Sequence, residues 1–77
     1  MYLDDINISF RAKGILAALF HYFPKGRCTH AEFKEKFNHP YMNAEYLLKF
    51  TNYELKKEGY LSEDSKNLVF SATSMLV

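Results

Sequence analysis

THAEFKEKF-NHPYMN-AEYLLKFTNYELKKEGYL, residues 29–61, reads as two helices joined by a tight break, and the rest of the chain is arranged around it. Thr29 and Glu32 have the Ser/Thr-x-x-Glu spacing of a capping box, in which hydroxyl and carboxylate each satisfy an orphan backbone donor at a helix start. Cys28 and Phe33 fall at the N′ and N4 positions, where a hydrophobic staple would pack. Asn38-His39-Pro40 breaks the first of the two helices, and Asn43 is the best N-cap for the second. That second helix closes at Gly59, the residue favoured for a left-handed C′ position. Tyr60 then stands at C″, able to cover Leu55 at C3 as a Schellman ending requires.

Upstream, Ser9 is a good N-cap, and Ala12, Ile15, Leu16, Leu19, Phe20 and Phe23 recur at helical spacing. The pattern predicts a helix over Phe10–Phe23, stopped by Pro24 and followed by a Lys25-Gly26 turn. Gly14 inside it suggests close approach of another backbone. Arg27 and Cys28 leave room for only a minimal strand. Ile6 and Ile8 alternate around Asn7 as a short extended segment would. Downstream, Tyr60–Ser62 and Leu68–Ser71 read as two short strands around the polar turn Glu63–Asn67. Leu16, Leu19, Phe20, Phe33, Leu48, Leu55 and Leu61 are the expected central core.

Seventy-seven residues make one domain, 1–77. With 48% apolar residues, including seven Phe and six Tyr, the chain has enough to bury. A lone Cys28 excludes an internal disulfide. MYLDDINIS has no basic n-region, and no apolar run approaches the ~20 residues that span a bilayer, so a soluble cytoplasmic protein with no membrane partner is expected. Net charge is only +1, but residues 11–57 carry nine Lys/Arg against four Glu, leaving a basic body between acidic ends. Cys28, His30 and His39 match no common zinc spacing. The three glycines are too scattered for a phosphate-cradling loop, and the domain is too small for a substrate cleft. Neither an enzyme, nor a metal, nor a cofactor is expected.

Helix, minimal strand, helix, helix and hairpin is the order of a winged helix-turn-helix, an α+β fold of three helices with a small β-hairpin wing. ISFRAKGILAALFHYF (residues 8–23) resembles the first helix of winged-helix domains in phage and plasmid replication proteins and DnaD-like primosomal proteins. There a Leu-Ser-x-x-Ala-Lys-Gly-x-x-Ala-x-Leu pattern precedes the helix-turn-helix. Ile8, Ser9, Ala12, Lys13, Gly14, Ala17 and Leu19 stand at the matching places. ELKKEGYL (residues 54–61) looks like the passage from recognition helix into wing. The resemblance covers roughly residues 6–71 and implies a habit of binding DNA.

At about 100° per residue, Ala44, Leu47, Leu48, Thr51 and Leu55 share one side of the third helix (about 44–58). Tyr46, Lys49, Phe50, Tyr53, Lys56 and Lys57 share the other. The expected function is therefore a small DNA-binding protein, a phage- or plasmid-type regulator of transcription or replication. It would set this helix in double-stranded DNA through Tyr46, Lys49, Asn52, Tyr53, Lys56 and Lys57. Lysines would hold phosphates, and Asn52 or Tyr53 would read bases. The outward face has no Arg and no Gln, and Glu63 and Asp64 at the wing tip would repel phosphates. The alternative is a protein-interaction module of the same fold, binding a partner protein through the aromatics Tyr46, Phe50 and Tyr53. The apolar tail Met75-Leu76-Val77 would let a homodimer pair two half-sites.

Overall fold

A computed structural model describes residues 1–37 and 53–76 of the chain. A 3₁₀ turn over Tyr2–Asp4 leads to α1 (Phe10–Tyr22), β1 (Arg27–Thr29) and α2 (His30–Phe37). A further helical segment, α3, covers residues 53–57, and a hairpin of β2 (Leu61–Glu63) and β3 (Asn67–Phe70) follows. The class is α+β, with helices and one antiparallel sheet in the order β1-β3-β2.

Local chemistry sets the ends of these elements. Ser9, in extended backbone, accepts a hydrogen bond from the Ala12 N–H at 3.1 Å, so its hydroxyl caps α1. At the other end Phe23 leaves the helical region (φ −131°, ψ 73°), as the residue before a proline must. The helix therefore stops at Tyr22, one residue short of the expected Phe23. The capping box of α2 is complete: the Glu32 N–H donates to Thr29 Oγ1 at 3.0 Å and the Thr29 N–H to Glu32 Oε1 at 2.9 Å. At the end of α3, the Tyr60 N–H reaches the Leu55 carbonyl (2.8 Å) and the Gly59 N–H the Lys56 carbonyl (3.1 Å), with Gly59 at φ 83°. These are the two hydrogen bonds of a Schellman ending, and Tyr60 is buried as its C″ position requires.

The core joins α1 (Ala12, Ile15, Leu16, Leu19), α2 (Phe33, Phe37) and Leu55 of α3 to the sheet residues Cys28, Leu61, Leu68 and Phe70. Cys28 and Phe33 are both buried, as a staple would have them. Burial and, to a lesser extent, the Glu32 carboxylate push the Cys28 thiol up to about 11. In the sheet, Cys28 faces Leu68, and Leu61 faces Phe70. Strands β2 and β3 lie within a residue of their expected limits, and β1 extends through Thr29. Of the expected central core, Leu16, Leu19, Phe33, Leu55 and Leu61 are buried, and Leu48 lies outside the described residues. Phe20 is a correction: it is half-buried at the edge of the core, with its ring between those of Tyr2 (6.2 Å) and Phe70 (5.0 Å). Gly14 is another, being exposed, with no described atom beyond its own stretch of helix within 4 Å of where its Cβ would stand. Among the described residues no helix is long and apolar enough to cross a membrane.

The first residues also depart from expectation. Ile8 is buried, but Ile6 is 93% exposed rather than sharing its face. Asp5 is the cause. Its Oδ1 accepts the Asn7 N–H at 2.8 Å, an Asx turn that interrupts any strand-like alternation, and its Oδ2 accepts the Tyr60 hydroxyl at 2.7 Å. The Tyr2 N–H donates to the Ala72 carbonyl at 2.9 Å, so the start of the chain is tied to the segment after β3. The Asn7 N–H, then the Tyr60 hydroxyl, hold the Asp5 carboxyl below its ordinary value. The same bond to Asp5, then burial, pushes the Tyr60 phenol up to about 12. The Asp5 contribution is complete above the unfolded-state value and lost as pH falls through the folded one. The Tyr60 contribution is complete below about pH 10 and lost as pH rises toward 12. Tyr60→Phe should thus be less stable than wild type between roughly pH 5 and 9, with the gap closing on both sides in denaturation curves across pH. A gap independent of pH would exclude the hydrogen bond as its source.

Candidate nucleic-acid interface

Leu55 is fully buried, which fixes the rotation of α3 and sends Tyr53, Lys56 and Lys57 to its outer surface. Tyr53 is 70% exposed, and both lysines are exposed within the same turn. Tyr46, Lys49, Phe50 and Asn52, the remaining candidates for contact with DNA or a partner protein, lie outside the described residues. Glu54 turns the other way. Its carboxylate accepts the Ser9 N–H at 3.0 Å and the Ser9 hydroxyl at 2.7 Å, tying α3 to the start of α1. A single serine therefore caps one helix and anchors another.

Basic residues elsewhere are spread over the surface. Lys13 lies over the Phe10 ring (5.2 Å) and Lys36 over the Tyr22 ring (5.7 Å), contacts that orient each ammonium by cation–π attraction. Arg11, Lys25, Arg27 and Lys34 are exposed on α1, the following turn, β1 and α2.

The hairpin differs most from the sequence reading, which set Glu63 and Asp64 together at the tip as a repulsive pair. Their roles separate. Cross-strand partners share a face, and Glu63 is paired with the buried Leu68. Glu63 is also two residues from the buried Leu61, so strand alternation turns its side chain toward the helices. There it forms an ion pair with Lys56 through Oε1, while Oε2 lies 3.7 Å from His30 Nε2. Asp64 instead organises the loop, accepting the Lys66 N–H (2.8 Å) and the Asn67 N–H (2.7 Å). Those bonds hold its carboxyl below the ordinary value.

His30 completes the junction. Its Nε2 is 3.0 Å from the Asp64 carbonyl, which only accepts, so that nitrogen carries a proton and donates. The first residue of α2, the C-terminal turn of α3 and the hairpin thus meet around one carboxylate. The sequence reading missed this junction. Its signal was the two-residue step from Leu61 to Glu63, although the partners from α2 and α3 have no local signature.

The tail, considered as a dimer surface, is anchored at one end. The Met75 N–H donates to the Gly59 carbonyl at 2.7 Å and the Ser74 hydroxyl to the Glu58 carbonyl at 2.7 Å. Leu76 is 63% exposed and Met75 is partly so, while Val77 lies outside the described residues. No protein-family model matches the chain, and neither the curated proteins nor the solved structures give a match.

Proposed function

We propose that this chain is a small DNA-binding protein of winged helix-turn-helix fold, a regulator of the phage or plasmid type, with α3 as the element that enters the major groove. The observation that carries the reading is the outer surface of α3, where Tyr53, Lys56 and Lys57 stand exposed opposite the buried Leu55. Two features of the architecture support it. The minimal strand β1 runs directly into the capped start of α2, and the sheet order β1-β3-β2 leaves β2 and β3 as a hairpin after α3. Lys56 and Lys57 contact phosphates flanking the groove, joined by Lys49, while Tyr53 and Asn52 approach base edges. Without Arg or Gln on this face, sequence preference is modest. A dimer formed through Met75 and Leu76 compensates by pairing two half-sites.

Titration of mixed-sequence duplex at two salt concentrations tests this. Affinity should fall steeply with salt, and Lys57→Ala should lower the log–log slope by about 0.9 while weakening binding to all sequences about equally. A flat titration at low salt and micromolar protein would end the DNA reading. The protein-interaction module would then stand in its place. The exposed ring of Tyr53 favours that second reading, in which Tyr46 and Phe50 would be its partners in binding. Phe50→Ala would then abolish partner capture without lowering the melting temperature.

A further inference from the structure

We infer that Glu63 is a built-in counter-ion on the DNA-facing ammonium of Lys56, holding the place of a phosphate between α2, α3 and the hairpin, so that its charge limits affinity for DNA. The inference rests on the DNA-binding reading of α3 and assigns a residue that restrains it.

Three observations converge on this carboxylate. The register of β2 on β3 turns Glu63 toward the helices instead of into the solvent beyond the wing. Its two oxygens then face two different elements: Oε1 pairs with Lys56 of α3, and Oε2 lies 3.7 Å from Nε2 of His30 at the start of α2, whose N–H goes to the Asp64 carbonyl. Finally, the site is open, with the side chains of Glu63 and Lys56 28% and 39% exposed, so an outside phosphate oxygen can approach the same ammonium. A carboxylate paired with a lysine ammonium, at the rim of a basic helix, has the surroundings in which a DNA phosphate would be held.

Asp64 is not interchangeable with it. Both Asp64 oxygens belong to one carboxyl whose Oδ1 already serves two backbone N–H groups of the loop, so its replacement would disturb the hairpin. Glu63 is in an exposed pair, and such pairs contribute little to stability. It can therefore be neutralised without loss of fold. Lys56, already paired, gives less to DNA binding than the neighbouring Lys57, which is exposed on the same turn. A phosphate arriving at Lys56 must displace the carboxylate or remain beside it, and either route weakens the complex.

The test is a fluorescence titration of the full chain with a mixed-sequence duplex across a salt series, comparing wild type, E63Q, E63D, K56Q and K56Q/E63Q. E63Q should bind about three- to tenfold more tightly at low salt and steepen the log–log slope by about 0.9, as freeing one phosphate-binding cation requires. E63D keeps the charge and should keep the wild-type slope. K56Q should weaken binding less in the wild-type background than in E63Q. Thermal melting should show E63Q folded within a few degrees of wild type. If wild type binds and E63Q has the same slope and affinity, the counter-ion role is overturned and the DNA reading survives. It is also overturned if K56Q costs the same in both backgrounds, or if E63Q unfolds and so proves to be a structural anchor. If neither wild type nor E63Q binds, the DNA reading fails and this inference falls with it.

Discussion

Leu19→Ala is expected to lower the unfolding free energy by about 2–5 kcal/mol, the range for deleting a fully buried leucine side chain. Leu19 is 1% exposed and lies on the stripe of α1 that also buries Ala12, Ile15 and Leu16. The transfer term accounts for part of the loss and the cavity left behind for the rest. Other core residues such as Leu16 and Leu68, themselves almost fully enclosed, have little freedom to move in. Scale makes the effect severe. At about 0.05–0.15 kcal/mol per residue, a domain of this length has roughly 4–12 kcal/mol in total. A drop in melting temperature of roughly 8–40 °C is therefore expected. Urea denaturation with an unchanged m-value is the measurement, and a loss below about 1 kcal/mol would mean that Leu19 is not enclosed as described.

Gly59→Ala should cost about 2–4 kcal/mol, through two separate effects. The first is backbone strain: at φ 83° a Cβ meets the following carbonyl, roughly 1–2 kcal/mol for an L-residue. The second is steric. An added Cβ would stand 2.6 Å from Leu76 Cγ and Ser74 Oγ, and 2.9 Å from the Leu76 backbone nitrogen. Two side chains can swing away, but that nitrogen moves only if residues 74–76 lift off the turn. Lifting breaks the Met75–Gly59 and Ser74–Glu58 hydrogen bonds. The variant should therefore show both a lower denaturation midpoint and faster proteolysis within residues 71–76. A midpoint within ~0.5 kcal/mol of wild type would show that the tail is not seated on Gly59 and that the Schellman turn tolerates a side chain.

What the sequence made legible is what depends on a few neighbouring residues. The Ser9 cap, the Thr29–Glu32 box and the Gly59 ending each involve side chains and backbone within five positions, and each was readable. So was the stripe on α1, because a 3.6-residue period projects burial onto sequence. On α3, Leu55 inward with Tyr53, Lys56 and Lys57 outward follows from the same arithmetic. Contacts across long separations left no such trace. Ser9 with Glu54, Asp5 with Tyr60, and His30 with the hairpin depend on how whole elements dock, and no local pattern encodes that. Glu63 is an intermediate case: its facing was countable from Leu61, but its partners were not. Gly14 misled because a glycine in a helix suggests contact, while this one is exposed.

The single cysteine gives the domain a chemical clock of its own opening. Only the thiolate attacks alkylating reagents, and at pH 8 a group titrating near 11 is ionised about once in a thousand molecules. Cys28 is also enclosed, its side chain on the core face of β1 beside Leu68 and within the cluster that holds Phe33, so a reagent reaches sulfur only after the core packed on that face opens. The rate of alkylation then measures how often that packing comes undone. It does so in the native chain under native conditions, with no probe introduced.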